Sequence, residues 1–321
     1  MKIGAVGTSF IMDTILENMQ AAEGMECLAI YSRKEETGRK LADRFGIQQV
    51  YTSLEAMCSD SALDWIYVAS PNSLHYEQAK AALLAGKHVL CEKPFTTTSA
   101  QLKELAEIAR GKNLFLFEAI LPLFHPHYQK IREYLPKIGK LKLVLGTFCQ
   151  YSSRYDALLS GKVPNVFNPE FSGGALMDLN LYNIYFTVGL FGKPESLQYH
   201  PTLFKNGVDT NGILIMQYPD FLAQCTGAKD TFCENSIQLL GDKGYIKVSP
   251  TASNCQEVSI IRRGEEEIRF STDTNPWAYE MQSLAELVKH QNYDECYHRL
   301  DIAIQVAEVL EEARKSGGLS F

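Results

Sequence analysis

The stretch MKIGAVGTSFIMDTILENMQA (residues 1–21) decides the fold class. A short apolar run, KIGAV, ends at Gly7 and passes through Thr8, Ser9, Phe10 and Ile11 into residues with helical spacing. A strand that turns through glycine into a helix is the first half of a parallel strand-helix-strand unit. The alternation repeats downstream through MECLAIYS (25–32), a helix from about Glu35 to Phe45, QQVY (48–51) and a helical LEAMCS (54–59). It continues through LDWIYVAS (63–70), a helix near His75–Leu84, KHVLCEKP (87–94), a helix near Ser99–Arg110 and NLFLFEA (113–119). Nearly continuous apolar strands between helices imply a parallel sheet covered on both faces, so residues 1–120 are expected to form a doubly wound α/β dinucleotide-binding domain of Rossmann type.

After residue 121 the pattern changes. HPHYQKIREYLPKIG (125–139) reads as a helix ended by Gly139, and long β-rich stretches follow: KLVLGTFCQYSS (142–153), ESLQYHPTLF (195–204), GILIMQYP (212–219), FLAQCTGAK (221–229), NSIQLLGDKGYIKVS (235–249), EVSIIRRG (257–264) and EEIRFST (266–272). Strands in succession indicate an open, mostly antiparallel sheet. One helical insert, SGGALMDLNLYNIYFTVGLFG (172–192), and two closing helices, 276–291 and 299–317, complete an α+β domain over 121–321. The helices cover one face of this sheet. The other carries many apolar positions, so association into a homodimer or larger homo-oligomer is expected through it.

Composition narrows the class of partner. With 321 residues, 45% of them hydrophobic, the chain can bury two cores, and a formal net charge of −7 without any run of Lys or Arg argues against nucleic acid or an anionic membrane surface. A small-molecule substrate is the expected partner. Eight scattered cysteines without C-x-x-C spacing read as reduced thiols of a cytoplasmic protein, and no targeting segment or membrane span is expected. No metal site is expected either, His125 and His127 reading as a packed or solvent-facing pair.

Five places offer chemistry. The first βα turn, Gly7-Thr8-Ser9-Phe10-Ile11-Met12, keeps only the first glycine of a G-x-G-x-x-G phosphate turn. Such a turn is equally an ordinary βα connection, but its place in the domain favours a pyrophosphate, while the Ser9 Cβ and the bulk of Met12 are expected to widen the approach. At the end of the second strand Ser32 and Arg33 stand where an NAD-specific site carries an acid, which favours NADP over NAD; NAD remains possible, and both residues also suit a solvated helix start. Ser70, Pro71, Asn72 and His75 form a turn at the carboxyl end of a strand, where an amide can reach a ribose or simply cap a helix. Glu92 and Lys93 end another strand, in the neighbourhood expected for the nicotinamide. Asp178 and Tyr182, at i and i+4, share a helix face behind the pair Gly173-Gly174, either as an acid/base unit or as structure.

Together, E-K-P at 92–94, S-P-N-S-L-H-Y-E at 70–77, F-E-A around Glu118 and G-G-A-L-M-D-x-x-x-Y at 173–182 make the chain resemble the Gfo/Idh/MocA oxidoreductases over its whole length. The pattern is most similar to the dihydrodiol and aldose dehydrogenase branch. The resemblance implies Lys93 as the central active-site residue, with Asp178 and Tyr182 as partners, and Gly7, Thr8, Ser9, Phe10, Ile11, Ser32, Arg33, Ser70, Pro71, Asn72, His75, Glu92 and Lys93 around the cofactor. Asn180 stands where the family commonly has Gly, which is expected to put an extra side chain near the substrate. The implied activity is hydride transfer between NADP(H) and a carbinol or carbonyl of a sugar, polyol, hydroxyketone or dihydrodiol. A catalytically idle NAD(P)-binding sensor or scaffold is the alternative, resting on the altered turn and on Asn180.

Overall fold

The computed structural model describes residues 1–319. Its chain divides into two compact units, Met1–Ala119 with Trp277–Ile304, and Ile120–Pro276 with Gln305–Phe321. The stretch 277–304, expected in the second domain, therefore packs with the first.

The first unit runs β1 (Lys2–Val6), α1 (Ile11–Ala21), β2 (Glu26–Tyr31), α2 (Glu35–Phe45), β3 (Gln49–Tyr51), α3 (Leu54–Ser59), β4 (Trp65–Val68), α4 (His75–Leu84), β5 (His88–Glu92), α5 (Ser99–Gly111) and β6 (Leu116–Ala119). All six strands are parallel in the order β3-β2-β1-β4-β5-β6. The strand order reverses beside β1, which is where open α/β sheets bind ligands at their carboxyl ends. The strand sequences explain the burial. Ile3, Ala5, Val6, Ile66, Val68, Val89 and Leu116 are enclosed between two helix layers, so no polar face is needed.

The second unit begins with α6 (Pro126–Tyr134), β7 (Leu141–Cys149), α7 (Tyr155–Leu159) and α8 (Leu181–Phe191). β8 (Ser196–Leu203), β9 (Asp209–Gln217), β10 (Leu222–Ala228), β11 (Ser236–Gly241), β12 (Gly244–Ser249), β13 (Glu257–Arg262) and β14 (Ile268–Ser271) follow. The last elements of the chain are α9 (Pro276–Lys289) and α10 (Tyr293–Ser316). The eight strands lie in the order β14-β13-β12-β11-β7-β10-β9-β8, antiparallel except for the central pair β7 and β10. The helix expected over 125–139 closes at Tyr134 and passes into a 3₁₀ turn at Leu135–Ile138, since Pro136 cannot donate to the ladder.

α8 lies against β7 and β10, and Thr187 Oγ1 meets Cys225 Sγ at 3.7 Å on that face. Strand alternation then sends Leu222, Gln224 and Thr226 to the open face. Register carries one open row from Leu222 through Leu143, Leu240 and Tyr245 to Ile261, wholly apolar except for the Tyr hydroxyl. The next row, Gln198-Ile215-Gln224-Leu145-Gln238-Lys247-Ser259-Arg269, is mostly polar. The open face is thus an apolar band beside a polar one rather than apolar throughout.

Candidate active site

In the first unit, the turn after β1 needs Gly7. Its φ is 118°, and a Cβ there would lie 2.5 Å from the carbonyl oxygen of Ala69. α1 starts without any side-chain cap, and in its first turn the Met12 N–H donates to Ser9 O at 3.0 Å. Thr8 and Ile11 are half-buried, Ser9 and Phe10 exposed. Met12, expected to obstruct the turn, is fully buried in the core, so its bulk is spent on packing. At the end of β2, Ser32 is buried and its Oγ accepts from the backbone N–H of Lys34 at 3.4 Å, whereas Arg33 is exposed.

The turns after β4 and β5 are tied together by His75. Its Nδ1 lies 2.9 Å from Pro94 O and its Nε2 lies 2.8 Å from Ser70 O. Burial lowers the His75 pKa, opposed by the two carbonyls. Both ring nitrogens of His75, a residue expected around the cofactor, face protein carbonyls. The Ser70 hydroxyl donates to Gln78 Oε1 at 2.6 Å, and Pro71 leads into a 3₁₀ turn at Asn72–Leu74.

Glu92 braces the turn that carries Lys93. Its Oε1 accepts from the Tyr67 hydroxyl of β4 at 2.7 Å and its Oε2 from the Lys93 N–H at 3.3 Å, so both carboxylate oxygens have protein partners. Burial raises the Glu92 pKa against the pull of the neighbouring Lys93 charge. Glu118 adds a second brace, its Oε1 accepting from Phe95 N at 3.0 Å. Cys91 is fully buried and its thiol is pushed well above the usual range, which leaves no nucleophile there.

In the second unit the helix expected over 172–192 is two pieces, a π-turn at Leu176–Asn180 and then α8. Wider turns of this kind recur at functional sites. From Ser172 to Gly189 every residue is buried except Asp178 and Tyr182. They are the two groups the sequence reading paired. Tyr182 packs near Phe148, with ring centroids 6.0 Å apart. The glycines before the turn are required by close approach: a Cβ on Gly173 would lie 2.7 Å from Val166 O, and one on Gly174 would strike Asp209 Oδ1.

Two residues that sequence reasoning missed hold this turn. Asp209, fully buried, accepts from Leu176 N at 2.7 Å and from the Tyr199 hydroxyl at 2.6 Å through one oxygen. Burial raises its pKa, opposed by Tyr199, Leu176 N and the charge of Lys229. Lys229, itself only 3% exposed, forms an ion pair with Asp178. Nothing in composition separates this lysine from surface lysines; only the tertiary fold does.

Asn180 is corrected. It is fully buried, donates from Nδ2 to Cys225 O at 2.9 Å and accepts from Asn183 Nδ2 at 3.1 Å. The side chain faces β10, where a Cβ on Gly227 would come within 2.6 Å of its own Cβ. Its side chain is therefore spent on packing against β10, and the Asn180 observation behind the idle-protein alternative loses its force.

The fold also gathers His125, His127 and Cys255, all buried, with one possible ligand atom of each within 4.8 Å of the others. Cys255 was not foreseen beside the histidines. His125 Nδ1 accepts from the His127 N–H at 3.2 Å, which puts the proton of the neutral ring on Nε2. His127 Nδ1 lies 2.9 Å from Cys255 O and must donate to it. The trio as folded is a hydrogen-bonded cap on α6.

Comparison with known proteins fits this architecture. Residues 1–119 match the model of the oxidoreductase family with an NAD-binding Rossmann fold, and residues 128–247 match the GFO/IDH/MocA C-terminal domain. The chain is 34% identical to the uncharacterized oxidoreductase YgjR of Escherichia coli K12 over 323 residues, covering 100% of this chain and 98% of the relative. It is 33% identical, with the same coverage, to the NADP(+) scyllo-inositol 2-dehydrogenase IolU of Bacillus subtilis 168. Among solved structures, the 3-ketoreductase KijD10 of Actinomadura kijaniata, with NADP and TDP-benzene, superimposes with a TM-score of 0.86 at 23% identity, covering 98% of this chain and 97% of that one. At that identity the likeness speaks for the fold alone.

Proposed function

The chain belongs to the Gfo/Idh/MocA oxidoreductase family, and from that premise we propose that it moves a hydride between NADP(H) and a carbinol or carbonyl carbon of a polyol, sugar, hydroxyketone or dihydrodiol. The observation that carries the reading is the π-turn and α8: in an otherwise buried stretch, one carboxylate and one phenol reach the surface, a turn apart. Names of relatives add support, since scyllo-inositol, trans-1,2-dihydrobenzene-1,2-diol and D-xylose dehydrogenases are all among them.

The cofactor would supply the hydride chemistry. Gly7, Thr8, Ser9, Phe10 and Ile11 would hold its pyrophosphate at the start of α1, a fit that rests on the glycine-only backbone at Gly7 and on a helix start that no side chain caps. Ser32 and Arg33 would meet the 2′-phosphate, and Ser70, Pro71 and Asn72 the ribose side, with His75 and Glu92 fixing the loops beneath. Lys93 is assigned to the substrate oxygen, where its ammonium would meet the developing charge, and Tyr182 to passing the proton. Asp178 accepts from a second substrate hydroxyl.

The test is incubation of the pure protein with NADP⁺ and scyllo-inositol, D-xylose or trans-1,2-dihydrobenzene-1,2-diol, following reduced nicotinamide by absorbance. Hydride transfer from at least one is expected. Failure with all three, and with the corresponding ketones and NADPH, sinks the proposal.

A further inference from the structure

The ion pair beneath the π-turn points to a residue that acts on the reaction from behind. Lys229 directly follows β10, and its backbone is fixed on both sides: its N–H donates to Thr210 O at 2.8 Å, and its C=O accepts from Ser152 N at 2.9 Å. The side chain thus leaves a rigid point. Its ammonium is enclosed, with the Phe167 ring centroid 5.5 Å away, Asp178 as ion-pair partner and the charge of Asp209 close by. Phe167 itself packs in a small core with Leu158 and Val208.

An enclosed ammonium is stable only when paired, so Lys229 must hold its carboxylates in place as firmly as they hold it. The two acids play different parts. Asp209 is fully buried and caps the start of the π-turn, whereas the Asp178 side chain keeps 31% of its surface and can be reached from outside. A carboxylate that accepts from an ammonium stays ionised and can only accept further hydrogen bonds.

We propose that Lys229 is a positioning residue: it fixes Asp178 as a permanent acceptor for a substrate hydroxyl beside the reacting carbon, and so sets the preference for polyols. This rests on the dehydrogenase reading above, and it removes Asp178 from proton transfer. A lysine that served only the stability of the fold would cost polyol recognition equally with and without the charge of Asp178.

Two measurements on the full-length chain decide it. Crystal structures of the parent and of Lys229→Met are expected to show the Asp178 carboxylate leaving its place when the ammonium is gone. In steady-state kinetics with NADP⁺ and scyllo-inositol or D-xylose, Lys229→Met should raise the polyol KM about tenfold or more, the scale of a charged hydrogen bond, with kcat and the NADP⁺ KM little changed. The same change in an Asp178→Asn background should alter KM by less than about twofold. Lys229→Arg should recover much of the loss by restoring the charge. If Lys229→Met does not fold, Lys229→Gln carries the same comparison with a donor but no charge.

An Asp178 side chain that stays in place without the ammonium overturns the proposal. So does an equal loss in the parent and Asp178→Asn backgrounds. If the parent transfers hydride with none of the compounds named above in either direction, the dehydrogenase reading fails, while the crystallographic comparison still decides what Lys229 does to Asp178.

Discussion

Tyr182 and Asp178 matter because their neighbours have nowhere else to put a polar group. Removing the phenol hydroxyl with Tyr182→Phe keeps the packing on Phe148 and should lower turnover about 10² to 10⁴-fold, leaving NADP binding intact by fluorescence titration. Near-normal turnover would assign the proton transfer elsewhere. Arg33 is exposed beside the buried Ser32, so Arg33→Ala should weaken NADP about tenfold or more and spare NAD; equal loss for both cofactors would refute the 2′-phosphate assignment. At this scale the sequence was readable wherever a residue's type restricts its backbone or chemistry. Gly7, Asp178 and Tyr182 stand out in the chain itself. His75 and Glu92 could be located but not interpreted, because their partners, Pro94 O, Ser70 O and Tyr67, come together only through the fold. Lys229 and Asp209 gave no signal, since composition treats a charged residue as exposed until burial is known.

Among the elements, α6 and the π-turn show how caps and close contacts replace propensity. His125 caps α6, and its pKa is pushed down to about 4 by burial, aided by the neighbouring His127. Its folded value lies below an unfolded value of about 6.5, so its neutral form contributes full stability above that pH, which fades as pH falls toward 4. Denaturant titrations should lose up to about 3 kcal/mol across that window from this group. His125→Asn retains a capping oxygen and should flatten that part of the profile; an unchanged slope would assign the acid loss to other groups. Gly227→Ala tests the contact between β10 and the π-turn. With a Cβ only 2.6 Å from that of Asn180, it should cost about 1 to 3 kcal/mol and reduce turnover with the stability, whereas a neutral outcome would mean the turn readily shifts. Helical spacing identified this region. It could not separate a π-turn from an α-helix, since both place residues four apart near one face, and the difference comes from Asp209 and Gly227 closing on it.

For the molecule as a whole, the open face of the second sheet makes the strongest demand for a partner. Leu143, Leu222 and Tyr245 are 38%, 41% and 37% exposed in one row. A second copy packed on this face is expected, and light scattering at micromolar concentration should give twice the chain mass or more, falling to one chain in Leu143→Glu/Leu222→Glu. A stable parent monomer would count against it. Apolar strands alternating with helices revealed the first sheet, and strands in succession the change of architecture near residue 120, but the return of 277–304 to the first unit has no local signature. That return governs how the protein comes into being. Tyr293 stacks on Phe115 with centroids 4.1 Å apart, Cys296 donates to Leu116 O, and Arg110 pairs with Asp301. A chain emerging from the ribosome therefore makes the dinucleotide-binding strands first, yet must leave them without their last helices until residues 120–276 of the second unit have been synthesised. The part that begins the molecule is completed only after most of the other has been made, and a fragment cut at residue 119 would expose the surface that residues 277–304 are made to shelter.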